Sequence, residues 1–241
     1  MALTLIDREL APLDFGASFR AQRPGPERDL IEWFIDREPL RIPRGCRATL
    51  FCEPRLDSGV PDLVLVLWSE TATRNWSPSR ADLTNGDLRL MHYLANVGPQ
   101  DEDDLERFFP RNLLPALERL EAAEMIRTVG DQWAPRALST VFAARHIIAI
   151  EAKINEWGAA IDQARQNLWF ASTSFVLFPR LPRDPRFLDA ARAFGVGVWS
   201  KDDAFLDISL LGPARLPRSY ASWLFNEWVW RVASPDGKPR S

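Results

Sequence analysis

The run Ile147-Ile148-Ala149-Ile150-Glu151-Ala152-Lys153 decides how the rest of this chain is read. Consecutive apolar residues, several of them β-branched, lead into a carboxylate, a small residue and a lysine, which predicts a buried strand ending in a charged site. Glu151 and Lys153 lie two apart and so project from one face of that strand. A carboxylate is costly to bury unless it meets a cation, and a metal ion is the natural partner. Lysine is otherwise scarce: the chain carries it only at Lys153, Lys201 and Lys238, so one of the three stands at this strand end.

The surrounding segments supply a second and a third acid. Residues 60–68 read as a buried strand with Pro61 at its start, where a strand tolerates proline, and with Asp62 next to it. Before it, Asp57-Ser58-Gly59 predicts a turn, and residues 47–53 predict a strand that ends on Glu53. Strands 60–68 and 146–153 have similar lengths and are expected to be antiparallel neighbours, which brings Asp62 beside Glu151. On the other side, residues 156–171 carry Trp157, Ala160, Ile161, Ala164, Leu168 and Ala171 at helical spacing, flanked by Gln163 and Gln166. A strand at 174–178, a helix at 185–194 ended by Gly195, and a short strand at 196–199 follow. This alternation implies parallel pairing, hence a mixed α/β sheet flanked by helices. Upstream, residues 27–37 predict an amphipathic helix, with Glu32 beside its apolar stripe. Residues 1–27, with Pro12, Pro24 and Pro26, read as a lead-in with one short turn of helix.

Between Ser69 and Arg145 the pattern changes. Thr84 and Asp87 form a capping-box-like pair before a helix that stops at Gly98-Pro99. A short helix around Leu105, Phe108 and Phe109 follows, then a third through Leu113, Leu114, Leu117 and Leu120, and a hairpin around Gly130-Asp131. Three helices and a hairpin resemble a winged helix. Seven arginines against eleven acids from Arg80 to Ala137, a net charge of −4, count against sequence reading by this module and favour packing or partner binding. The C-terminal segment 220–232, rich in tryptophan, reads as a buried helix.

Composition bounds the rest. At 241 residues and 46% hydrophobic content the chain can bury a sizeable core in one large or two smaller domains. A net charge of −3 leaves no global basic field, so nucleic-acid contact must come from local patches. Cys46 and Cys52 are expected to be reduced thiols. No apolar stretch approaches the roughly 20 residues that span a bilayer, and Met1-Ala2-Leu3-Thr4 does not open a secretion signal, so a cytoplasmic protein without membrane association is expected.

Two facing carboxylates at a sheet edge suit a hard divalent cation, and a lysine beside it suits phosphodiester hydrolysis. Pro61-Asp62 followed by Glu151-Ala152-Lys153 resembles the signature of the PD-(D/E)XK, or restriction-endonuclease-like, nuclease superfamily. The resemblance spans roughly residues 28–200. It implies a discontinuous nuclease core over 1–79 and 138–241, with a winged-helix-like insertion at 80–137. It further implies Mg²⁺, which Mn²⁺ can replace, held by Asp62, Glu151 and the main-chain carbonyl of Ala152, with Lys153 in catalysis. Glu53 resembles an acid placed before the motif in several branches, where it would bind a second ion or shape the site. Gln163 resembles a glutamine that would hold the substrate backbone or orient the lysine.

The function expected from this is a metal-dependent deoxyribonuclease acting on DNA; cutting both strands of a duplex takes two sites or two visits, which a homodimer would supply. The alternatives are a non-catalytic nuclease-fold module that binds nucleic acid or protein, and a winged-helix regulator. A zinc site lacks ligand spacing among His92, His146, Cys46 and Cys52, and both histidines read as structural. A serine hydrolase lacks its Gly-x-Ser-x-Gly turn. Arg180, Arg183 and Arg186, near Lys201 in fold order, are the candidate phosphate contacts.

Overall fold

The computed structural model describes residues 3–11, 16–21, 23–37, 40–182, 184–203 and 206–233. Pro12, Pro39, Arg183 and the tail from 234 lie outside them. The chain divides into two compact units, residues 1–68 with 144–218, and residues 69–143 with 219–241.

The first unit is built on a six-stranded mixed sheet. Its strands are β1 (Leu3–Ile6), β2 (Arg47–Cys52), β3 (Leu63–Trp68), β4 (Ala144–Ala152), β5 (Thr173–Phe178) and β6 (Val196–Ser200), which lie side by side in chain order. The helices of seven residues or more are, in chain order, α1 (Pro26–Arg37), α2 (Asn85–Val97), α3 (Glu102–Phe108), α4 (Leu113–Ala122), α5 (Trp157–Asn167), α6 (Pro185–Ala193) and α7 (Tyr220–Ala233). β2 and β3 are antiparallel, as are β3 and β4, while β4, β5 and β6 run parallel. The expected antiparallel pairing of β3 with β4 sets Leu63 opposite Ile150. Continued by one residue, that register places Asp62 opposite Glu151.

Side-chain alternation divides the sheet between two helical layers. Leu63, Leu65, Leu67, Ile148, Ile150 and Leu177 point to the face covered by α1 through Leu30, Ile31 and Phe34. Val176 and Phe178 point the other way, onto Ala160, Ile161 and Ala164 of α5 and Phe187 and Ala191 of α6. Central strands covered on both faces must be apolar almost throughout, which is why β3 and β4 read as unbroken hydrophobic runs. Cys46 and Cys52 are free thiols.

One correction to the sequence reading concerns the start of the chain. Residues 3–6 are not lead-in but an edge strand, paired in parallel with β2 in the register Leu3 to Ala48. Four residues are too few to show period-two alternation, and the partner lies more than forty residues away.

The second unit contains α2, α3 and α4 and a hairpin of Ile126–Val129 with Gln132–Pro135. Thr84 caps α2 by a full capping box with Asp87. Gln100 and Trp133 exchange main-chain hydrogen bonds, adding a short bridge beside the hairpin. α7 also belongs to this unit, although the resemblance places 138–241 in the discontinuous core. Contacts group it with 69–143. Trp223 stacks edge-on against Phe142, and Asn226 Oδ1 accepts from the Ala143 N–H at 2.7 Å. Residues 221–230 of α7 are all buried, Asn226 and Glu227 included. A tryptophan-rich stripe tells that a helix is buried but not against what.

Candidate active site

Strand polarity concentrates chemistry at one end of the sheet. β2 and β4 end there and β3 begins there, so Glu53, Asp62 and the pair Glu151 and Lys153 arrive together from three places in sequence. They line a cleft of about 290 Å³ with Arg20, Arg23, Glu27, Arg28 and Gln163. Its walls are charged and polar except for Ile31 and Val60.

Asp62 and Glu151 form the floor, 7% and 4% exposed. Asp62 Oδ2 accepts from the Ala152 N–H at 2.9 Å, which ties the start of β3 to the end of β4. Asp62 Oδ1 faces Arg20 Nη2 at 3.5 Å. Glu151 Oε1 accepts from Asn167 Nδ2 at 2.6 Å, and Asn167 stands on the buried side of α5. Burial pushes both carboxyls above their usual range. For Glu151 the Asp62 charge adds to burial, and together they push it up to about 8. For Asp62 the rise is opposed by Lys153, by the Ala152 N–H and by Arg20. Two acids this close hold a proton between them more readily than both ionise.

Glu53 is held differently. It is 5% exposed and sits at φ 50°, the left-handed region that a side chain with a Cβ seldom adopts. Its N–H donates to the Asp62 carbonyl and its carbonyl accepts from the Arg20 N–H, both at 2.9 Å. Those two bonds fix the unusual conformation and direct the carboxylate to Arg20 Nε, with which it forms an ion pair. Arg20 thus bridges Glu53 and Asp62. Lys153, its side chain 15% exposed, has Nζ 3.4 Å from Glu27 Oε1 on α1.

The donor set fits a hard divalent cation. It consists of two buried carboxylates whose proton affinities burial and their mutual repulsion raise, and a bound cation is what would lower them. Among the described residues no three His, Cys, Asp or Glu side chains already converge as a ligand group, and Glu53 is turned onto Arg20.

No protein-family model, no curated protein and no solved structure matches the chain. The site is therefore read from its own geometry.

That geometry brings together Asp62, Glu151, Lys153, Glu53 and Gln163, all of which line the cleft, with Ala152 at the end of β4 between two of them. Gln163 reaches it from an exposed position on α5. Other candidates lie elsewhere. Glu32 is a solvated partner of Arg28 at 2.7 Å, half exposed. Arg180 and Lys201 do not line the cleft, and Arg186, 92% exposed, leans toward Asp184. Basic residues do line it, but they are Arg20, Arg23 and Arg28 from the lead-in and the first turn of α1. His92 and His146 are both held below their usual range by burial, consistent with packed side chains.

Five contributors escaped the sequence reading: Arg20, Arg23, Glu27, Arg28 and Asn167. Asn167 had a visible signal, since it stands three residues after Ala164 on the apolar stripe, where an amide must find a buried partner. Arg20 had none, because nothing local distinguishes it from other arginines in a proline-rich segment.

In the described residues no helix is long and apolar enough to cross a membrane.

Proposed function

We propose that the chain is a divalent-metal-dependent nuclease of the PD-(D/E)XK type that hydrolyses phosphodiester bonds in DNA, with residues 80–137 as a winged-helix-like insertion. The observation that carries this reading is the pairing of two buried carboxylates, Asp62 and Glu151, across adjacent antiparallel strand ends in a cleft that also holds Lys153.

Asp62, Glu151 and the Ala152 carbonyl would hold Mg²⁺, or Mn²⁺ in its place. Bound there, the ion would polarise a phosphodiester and ease ionisation of a water. Lys153 orients the attacking water, or steadies the charge that grows on the phosphoryl oxygens. Asn167 fixes the Glu151 carboxylate so that one oxygen stays directed at the cleft. Arg20, Arg23 and Arg28 supply the positive rim along which a phosphate backbone can lie, and Gln163 adds a neutral donor. Glu53, through Arg20, sets where that guanidinium stands.

One contact favours a second reading, a non-catalytic nucleic-acid-binding module: Arg20 already compensates Glu53 and Asp62, as a purely structural ion cluster would. The deciding experiment is cleavage of labelled linear, circular and single-stranded DNA in Mg²⁺, Mn²⁺ or EDTA by the parent, Asp62→Ala and Lys153→Ala. Metal-dependent cutting by the parent, reduced at least about a hundredfold in both variants, is expected. Metal-independent cutting, or cutting untouched by either substitution, overturns the proposal. DNA binding without cutting by all three proteins selects the binding module.

A further inference from the structure

The second unit holds a cavity of its own. It measures about 260 Å³ and lies among Arg89, Arg111 and Arg119, with Leu90, Phe109, Leu113 and Ala116 as apolar lining. The unit's acidic balance conceals this local excess. Against the three arginines the lining includes a single acid, Asp87, and that acid is already committed. Its Oδ2 accepts from the Thr84 N–H and from Arg119 Nε, and its Oδ1 accepts from Arg119 Nη2, each at 2.8 Å.

The consequence for Arg119 is immobilisation. A bidentate pair holds its guanidinium plane while its side chain stays 33% exposed, so the charge is presented with little entropy left to lose. Arg111 is exposed and has no hydrogen bond or ion pair to any described residue. Arg89 lies over the Tyr220 ring at 4.4 Å. The first turn of α4 opens on the same cavity: Asn112, at φ 59°, gives no side-chain cap, and Pro115 has no N–H. The Leu113 N–H, at the first position of α4, borders the same cavity beside the arginines.

We propose that this cavity binds a phosphomonoester attached to a flat apolar body, of the size of one nucleotide. Charge and shape each argue for part of that ligand. Arg119 is held in place by Asp87 and Arg111 has no partner among the described residues, so two guanidinium groups present N–H donors to the cavity, which the three terminal oxygens of a phosphomonoester engage more fully than the two free oxygens of a carboxylate or a chain phosphodiester. The Leu90, Phe109 and Ala116 surface would lie against a ring rather than a second charge. The same chemistry is offered by a free nucleotide and by the 5′-phosphate end of a nucleic-acid strand.

The inference is independent of the proposed nuclease activity, and its test uses the full chain in EDTA, where nothing is cut. Calorimetric titration with phenyl phosphate, benzoate, dAMP, and a tetranucleotide with or without its 5′-phosphate separates the possibilities. Phenyl phosphate is expected to bind and benzoate at least about tenfold more weakly. Arg111→Ala should weaken phosphate-ligand binding about tenfold or more. Gly86→Leu should abolish it by filling the mouth; a Cβ at Gly86 meets only Thr84 Oγ1, at 3.6 Å, so the backbone accepts the side chain. Arg127→Ala, an exposed arginine outside the cavity, should change nothing. Binding by dAMP alone assigns a free nucleotide; binding by the 5′-phosphorylated tetranucleotide alone assigns a strand end. Equal binding with and without the 5′-phosphate, equal binding of benzoate, or binding that survives in a folded Gly86→Leu protein overturns the proposal.

Discussion

Glu151→Gln removes the costliest charge in the cleft while keeping its shape. Burial, and after it the Asp62 charge, push Glu151 up to about 8 from an ordinary 4.5. The sign follows from which state holds the proton more tightly. A carboxyl whose folded value is raised stabilises the fold fully below pH 4.5, and that contribution drains away as pH rises to about 8. At about 1.4 kcal/mol per pH unit, a window of this width corresponds to something on the order of 5 kcal/mol, borne by the Asp62 and Glu151 pair together. Glutamine cannot ionise, and its carbonyl can still accept from Asn167 as Glu151 Oε1 does. The assay is urea unfolding in EDTA, followed by tryptophan fluorescence, at several pH values across the window. The parent should lose stability steeply as pH rises and the variant should lose several kcal/mol less, so that above pH 8 the variant is the more stable protein. Millimolar Mg²⁺ should restore the parent at high pH and leave the variant unchanged, because only an ionised Glu151 repays the ion. Parallel stability curves for the two proteins in EDTA would refute the reasoning, since Glu151 would then titrate as an ordinary surface acid.

Two further outcomes test how each unit is held together. Arg80 and Glu227, each 1% exposed, pair at 2.9 Å under the Trp76 ring, and Arg80 Nη2 donates to the Val141 carbonyl at 3.1 Å. Glu227→Leu should cost about 3–5 kcal/mol by leaving a buried guanidinium unpaired, and Arg80→Met with Glu227→Leu should cost less than that single change. Urea midpoints measure both, and a single-variant cost below about 1 kcal/mol would show that the pair is solvated. In β6, a Cβ at Gly197 would fall 2.3 Å from the Phe175 ring. Gly197→Ala should cost about 1–3 kcal/mol by thermal melting, with much of the loss recovered in a Phe175→Leu background; an unchanged melting temperature would mean that the ring moves freely.

Much of the sheet was legible without coordinates. Buried central strands must be apolar on both faces, so 63–68 and 147–152 announce themselves, and the acids at their ends stand out against that background. The antiparallel pairing of β3 with β4 then follows from strand order, and with it the meeting of Asp62 and Glu151. Helix ends were legible for a related reason: the Thr84–Asp87 box, Gly98-Pro99 and Gly195 act through the backbone next to them. Interactions that reach across the chain left weaker traces. Arg20 and Glu53 are thirty-three residues apart, and β1 pairs with β2 across forty-five. The amphipathic stripe of α7 specifies burial but carries no address, so its place beside Phe142 and Arg80 had to come from packing.

The same division holds at the two candidate sites. Sequence alone determined which acids end the strands, because period, burial and turn chemistry are local properties of neighbouring residues. Only the tertiary structure decided that Arg20 stands between two of those acids, and that three arginines of an acidic unit share one cavity. Net charge is a sum along the chain, whereas a ligand meets a field in space, and folding is what turns the one into the other.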